Sequence, residues 1–368
     1  MDAIVASYLA AACWVSKQVF ESKELNSNRL HRAFYAAVRE KFGLPSQLTC
    51  SLFRQVTANY KTLKALGKWD LCAYKRPTMP LTYGRDLLRN RKGVTILGKP
   101  VTLHHPHIPE SSWKDSKLKR IGKTWYLLLT HEIDIPEIKT TGCIVGVDMG
   151  IKRMLVATNS ANSKTFFFLG GVLNHRRSCI RRTRAAVQSV GTRSARRLLR
   201  RLGSNEAAVT GHLLHVASKA LVSYAVGVGA RRIVLEDLTN IRDSSLSKGK
   251  DLRSKVHRWP YVDARFKITY KAAAVGIEME TVSPKNTSRG CNACGHVSAS
   301  NRKGLHFHCQ KCGHREDADR HASKNIRARS VAVEHNSAMT GSLKAPQSSE
   351  LPEITAGSFV SHGDLVVV

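Results

Sequence analysis

Three acidic residues of this 368-residue chain stand where acids are costly. Asp148 closes the apolar run Cys143-Ile-Val-Gly-Val147, Glu236 closes Ile233-Val-Leu235, and Asp319 sits in Glu316–Ile326, which reads as the start of a helix. A carboxylate ending a buried apolar strand destabilises the fold unless a cation or a hydrogen-bond donor meets it. One such acid is a turn cap; three in the same setting read better as a set. Converging carboxylates push each other's pKa upward, and divalent cations relieve the repulsion. Mg²⁺ takes oxygen ligands and keeps several waters. Two such ions about 4 Å apart clamp the attacking and leaving oxygens of an in-line phosphodiester displacement. The expected chemistry is phosphodiester hydrolysis without a protein nucleophile, with Asp148, Glu236 and Asp319 as catalytic residues and Mg²⁺ ligands. Asp317 reads as an N-cap beside Asp319. Strand alternation turns Asp237 to the face opposite Glu236.

The second constellation is sulfur. Cys291 and Cys294 form one Cys-x-x-Cys pair, Cys309 and Cys312 another, with 14 residues between the pairs. Two thiolates three residues apart wrap one edge of a tetrahedron, so the four cysteines predict a structural Zn²⁺ site. Gly295 and Gly313 follow the pairs, as tight knuckles require. His296, His306, His308 and His314 are nearby donors that a full four-thiolate shell does not need. The other five cysteines are scattered and read as small core residues. An odd total without a secretion signal argues for a reducing compartment.

These residues need elements to hold them. Asp2–Phe42 and Gln47–Leu66 carry apolar residues at helical spacing, which predicts a helical subdomain over 1–76. Pro77–Pro80 and Tyr83-Gly84 read as a linker that opens a β-rich, wedge-like domain over 77–140. Its strands are expected in Gly93–Leu103 and Trp125–Ile135, with basic Lys114–Lys123 between them. From 141 the order is strand, strand (with Asp148 at the hairpin), strand at Thr165–Leu169, and an Arg-rich helix broken near Gly191. A helix over Ala207–Val226, the strand ending in Glu236, a helix over Tyr261–Ala274 and a strand at Ile277–Val282 follow. After the zinc ribbon (286–314) comes the helix of Asp319. That order is α/β with a mixed sheet, an RNase H-like domain over 141–329. Ser-rich 330–368 reads as a disordered tail.

The net charge is +32, and the last 39 residues oppose it with four acids against one Lys. So basic a body points to a polyanion, and its spread favours nucleic acid over a membrane surface. No apolar span of membrane length is expected. Met1–Val15 opens with Asp2 and lacks a basic n-region, so it does not read as a signal peptide. Between Arg176 and Arg201 lie ten arginines and no acid. Arg176, Arg177, Arg181, Arg182, Arg184, Arg193, Arg196, Arg197, Arg200 and Arg201 are therefore the candidate phosphate contacts.

Together, Gly146-Val-Asp148-Met-Gly-Ile151, Leu235-Glu236-Asp-Leu238, the two cysteine pairs and Asp317-Ala-Asp319 resemble the split RuvC domain of TnpB, the transposon-encoded RNA-guided nuclease. TnpB is similar to the compact type V CRISPR effectors and the eukaryotic Fanzor proteins. The resemblance covers roughly 2–329. It implies a guide RNA, a short adjacent DNA motif read by the protein, and cutting of target DNA, double- or single-stranded, in the RuvC centre. Base pairing would carry the sequence specificity. Leu214 stands where the family often has Asn, and His321 and Ser323 stand where Asn and Ala are usual. An RNA-guided repressor without cleavage, a CRISPR effector guided from an array, and a zinc-ribbon transcription module are the alternatives. The acids favour the nuclease. DNA as substrate implies a cytoplasmic, nucleoid-associated protein, or a nuclear one in a eukaryote.

Overall fold

The computed structural model describes residues 1–90, 93–103, 113–239, 241, 249–340 and 365–367. They divide into two compact units, the first built on Met1–Ile133 and the second beginning at Asp134.

In the first unit the apolar spacing becomes α1 (Asp2–Ser22), α2 (Ser27–Phe42) and α3 (Ser46–Ala65). Asn26 divides what reads as one helical stretch. Its side chain accepts from the amides of Asn28 and Arg29 at 2.9 and 3.3 Å, an N-cap that starts a new helix. Val5, Tyr8, Ala12, Val15 and Val19 form a buried stripe on α1, in one core with Leu48, Leu52, Phe53 and Val56 of α3. By length and composition α1 is apolar enough to cross a membrane, contrary to the expectation that no such span exists. The buried stripe gives that apolarity a role inside the helical core.

Six short strands follow: β1 (Thr78–Leu81), β2 (Leu87–Asn90), β3 (Gly93–Ile96), β4 (Lys99–Val101), β5 (Trp113–Ile121) and β6 (Thr124–His131). Strands β2, β3 and β4 form one antiparallel sheet, while β5 pairs with both β1 and β6 in another. Strand β5 corrects the reading of Lys114–Lys123 as a connecting segment. Trp113, Ser116 and Leu118 are buried while Lys114 and Lys117 are exposed, so the charge sits on a solvated face of a real strand. A register shift between Lys114 and Lys117 breaks the strict alternation that would have announced it.

The second unit carries β7 (Cys143–Asp148), β8 (Arg153–Asn159), β9 (Thr165–Leu169), α4 (Gly171–Val190), α5 (Arg193–Gly227), β10 (Ala230–Glu236), α6 (Lys250–Arg258), α7 (Tyr261–Ala273) and β11 (Glu278–Val282). Three small strands, β12 (Arg302–Lys303), β13 (His306–His308) and β14 (Arg315–Asp317), then lead into α8 (Ala318–Thr340). The main sheet has the order β11-β10-β7-β8-β9. Strands β7, β8 and β9 are antiparallel, while β10 runs parallel to β7 and β11 parallel to β10. This is the mixed α/β sheet expected from the order of the elements.

The continuously apolar runs are explained by burial on both faces. Val145, Val147, Ile233 and Leu235 point to Leu214 and Leu221 of α5 and Ile268 of α7. Ile144 and Val234 point the other way, with Val282 and with Ile326 of α8. The helix break is where Gly191 predicts it, at φ 67°. Beyond it, Arg193–Gly227 is one uninterrupted helix of 35 residues, longer than the Ala207–Val226 segment that periodicity marks.

Of the tail expected to be disordered, α8 occupies the part to Thr340, and Leu365–Val367 forms a last strand, β15, antiparallel to β6. Residues 341–364 lie outside the described residues.

Candidate active site and metal centre

Strands β7 and β10 are parallel neighbours, with Val147 opposite Leu235. Their C-terminal residues, Asp148 and Glu236, therefore end at the same edge of the sheet, on the face that packs α8. Asp319 comes from the first turn of that helix. All three line one cleft of about 1300 Å³. The structure thus brings together the three acids that the sequence singles out.

Electrostatics marks the same place. Burial, then the charges of Glu236 and Asp319, push the Asp148 carboxyl well above the usual range. Burial also raises Glu236, against the pull of a Thr287 hydrogen bond and of Arg329 and Arg302. Glu236 accepts from the Thr287 hydroxyl, and Asp319 accepts from Arg302 Nη2 at 2.6 Å. Arg153 lies 3.5 Å from Asp319 and makes two contacts to Asp317, at 2.6 and 2.7 Å.

Asp317 behaves as an N-cap. Its Oδ1 accepts from the amides of Asp319 and Arg320 at 3.2 and 3.1 Å. Burial works against its ionisation, but Arg153 and these amides hold its pKa below the usual carboxylate range. Asp237 differs from the alternation argument. Strand β10 stops at Glu236, so Asp237 lies in the turn, accepts from the Thr239 amide at 3.1 Å and lines the rim of the cleft.

The cleft is walled by cations: Lys152, Arg153, Arg177, Arg181, Arg258 and Arg302. Of the ten candidate arginines, only Arg177 and Arg181 belong to this lining. Arg177 and Arg184 also face Glu206 of α5, at 3.9 and 3.5 Å, so part of the cluster carries its own counter-charge. The other seven, Arg176, Arg182, Arg193, Arg196, Arg197, Arg200 and Arg201, are exposed on α4 and α5. Sequence reasoning missed Arg153, Arg302 and Thr287. A basic residue after a hairpin turn, another in a ribbon and a loop threonine carry no local signature.

The four cysteines form two matching knuckles. Gly295 and Gly313 turn at φ 72° and 73° and donate back to Cys291 and Cys309 at 2.9 and 3.0 Å. The amides of Cys291 and Cys309 in turn donate to the carbonyls of His296 and His314, both at 2.9 Å. The Cys291–Cys312 and Cys294–Cys309 sulfurs lie 3.7 and 3.6 Å apart. Metal–sulfur bonds of about 2.3 Å in a tetrahedron give edges near 3.8 Å, so the donors and their spacing fit one metal ion.

Known proteins resemble this chain in sequence. A family model described as the Cas12f1-like TNB domain matches residues 261–326. The CRISPR-associated endodeoxyribonuclease Cas12f1 of Sulfoacidibacillus thermotolerans is 27% identical over 217 residues, 55% of this chain and 49% of that protein. A TnpB-like protein of Methanocaldococcus jannaschii is 35% identical over 136 residues, 37% of this chain and 46% of its own length. The chain thus spans about half the length, or less, of the curated relatives it matches. Among solved structures, a Cas12f1–sgRNA–target DNA complex aligns over 89% of this chain and 94% of that one, at 18% identity and a TM-score of 0.42. The resemblance to TnpB and the compact type V effectors is borne out.

Proposed function

We propose that this relative of Cas12f1 and TnpB-like proteins is an RNA-guided DNA endonuclease that cuts in a RuvC-like, RNase H-like centre at Asp148, Glu236 and Asp319. The observation that carries the reading is the meeting of these carboxylates from β7, β10 and α8 in one cation-walled cleft. Asp148 and Glu236, both raised by burial, need added positive charge to ionise together. An all-oxygen donor set fits Mg²⁺ better than a soft metal. When bound, two such ions would supply the charge stabilisation for in-line hydrolysis of a phosphodiester.

The chain's own residues do the rest. Arg153 and Arg302 hold Asp317 and Asp319 through charged hydrogen bonds, and are placed to take a phosphate oxygen instead once cations neutralise those acids. Arg177 Nε is buried, 3.9 Å from Glu206 and without a hydrogen-bond partner among the described residues, so a backbone phosphate at the cleft wall would complete its hydrogen bonding. The exposed arginines of α4 and α5 grip phosphates irrespective of sequence. Target choice would then fall to base pairing with a guide RNA. The partners are the guide, the target duplex and its separated single strands. In the four-cysteine site Zn²⁺ would have no open position, which makes it structural.

The test is cleavage of a plasmid matched to the RNA that co-purifies with the protein. Wild type should cut in Mg²⁺ and not in EDTA, and Asp148→Ala should bind but not cut. Full cutting by Asp148→Ala, or in EDTA, overturns the reading. Binding without cutting by the wild type leaves a guided repressor. Co-purified RNA transcribed from a CRISPR array would make the chain a compact type V effector, the context named for its Cas12f1 relatives.

A further inference from the structure

We infer that His314, Glu316 and His321 form a second zinc site, separate from the four cysteines, with one coordination position left for water. Their donor atoms all lie within 4.8 Å of one another. Glu316 Oε2 is 3.3 Å from His321 Nδ1 and 3.6 Å from His314 Nε2. Metal–donor bonds of about 2.0–2.2 Å in a tetrahedron require edges of about 3.3–3.6 Å, so both edges at Glu316 already match one ion, and the third, between the histidines, lies within reach of it.

The hydrogen bonding leaves a gap that a cation fills. His321 Nε2 is 2.9 Å from the Gly290 carbonyl, which can only accept, so Nε2 carries the ring proton. Nδ1 then presents a lone pair to a carboxylate oxygen, and two acceptors face each other with nothing between them. A backbone carbonyl fixing the far nitrogen is the arrangement by which proteins orient a ligating histidine. His314 Nε2 is buried and has no hydrogen-bond partner among the described residues. The remaining oxygen of Glu316, Oε1, is held by Lys324 and, at 3.3 Å, by Arg320, which orients the carboxylate and leaves Oε2 for the metal.

His321 is fully buried and its ring stacks 3.6 Å from Phe307, which fixes the direction in which Nδ1 points. His314 follows the second cysteine knuckle and His321 lies in the opening turns of α8, so the ion would fasten the ribbon to the helix that carries Asp319.

Metal analysis of the full chain, saturated with zinc and freed of excess, tests this. Wild type should hold two zinc ions per chain. His321→Asn keeps an N–H donor for Gly290 and removes a ligand; it should hold one. His314→Ala, at a half-exposed position that tolerates change, should also hold one. In each variant, cobalt substitution should retain the thiolate charge-transfer band of the four-cysteine site. A wild-type ratio of one, or a ratio of two in both variants, overturns the site.

Discussion

A Cβ on Gly146 would stand 2.2 Å from the carbonyl oxygen of Ser323, so α8 lies on bare backbone where it crosses β7. Gly146 is two residues before Asp148, and Ser323 is about one helical turn beyond Asp319. The close approach of helix and strand is what delivers the third carboxylate to the first. Gly146→Ala would push α8 outward. It should cost at least about 1–3 kcal/mol of stability and reduce cutting roughly a hundredfold. Thermal melts and cleavage rates check this, and wild-type values for both would refute it.

Arg302 and Asp317 should separate chemistry from capping. Arg302 touches Asp319 from the ribbon, so Arg302→Ala should slow cutting by about a hundredfold while zinc content stays unchanged. Asp317→Ala removes an N-cap, which costs about 1 kcal/mol, and should slow cutting less than tenfold. Asp319→Ala should abolish it. Equal rates for the Asp317 and Asp319 variants would erase the distinction between them.

The exposed arginines should act additively and without regard to sequence. Neutralising Arg193, Arg196, Arg200 and Arg201 should flatten the salt dependence of nucleic-acid binding by about 0.7–0.9 per lost phosphate contact. Arg184, which faces Glu206, should contribute less. A slope that does not move assigns α5 to solvent.

Lys271 predicts a pH effect. Burial, with Lys267 and Lys219 nearby, pushes its pKa down to about 8, while its ammonium donates to Ser218 Oγ at 2.6 Å and the His215 carbonyl at 2.7 Å. An unfolded lysine titrates near 10.4, so between about pH 8 and 10.4 the unfolded chain keeps a proton that the folded chain releases. Folding is therefore favoured progressively as pH rises through that window. The stability of wild type relative to Lys271→Met should increase from pH 7.5 to 10 in denaturant titrations. Parallel curves would show that the lysine is not shifted.

The cysteine site is expected to be structural. The amides of Cys312 and Lys311 lower the Cys309 thiol to about 6, which readies it as a thiolate at neutral pH. Cys309→Ser should lose one zinc equivalent and expose β12–β14 to protease, since structural zinc carries on the order of 10 kcal/mol of local folding energy. Full zinc content in the variant would contradict the assignment.

What the sequence alone determined is whatever short-range chemistry can announce. Asp148 and Glu236 were legible because an acid ending an apolar run is anomalous wherever it occurs. The knuckles were legible because two thiolates and a glycine at fixed spacing are a local geometry. Asn26 was passed over although its cap is equally local, because the helical pattern runs on through it. Strand β5 was hidden by its lysines, whose side chains reach water whatever lies beneath them.

Only the tertiary structure decided which groups meet. Arg153 and Arg302 reach the acids because the hairpin of β7 and β8 and the ribbon fold back over the start of α8, and a guanidinium has no sequence signature of its destination. Glu206 meets Arg177 because α4 and α5 pack as an antiparallel pair. His314 read as a surplus donor beside the cysteines, and His321 only as a departure from the usual Asn, until the turn from β14 into α8 set both beside Glu316. Each of these contacts joins separate elements, and their side-chain directions depend on packing and register that no local pattern encodes.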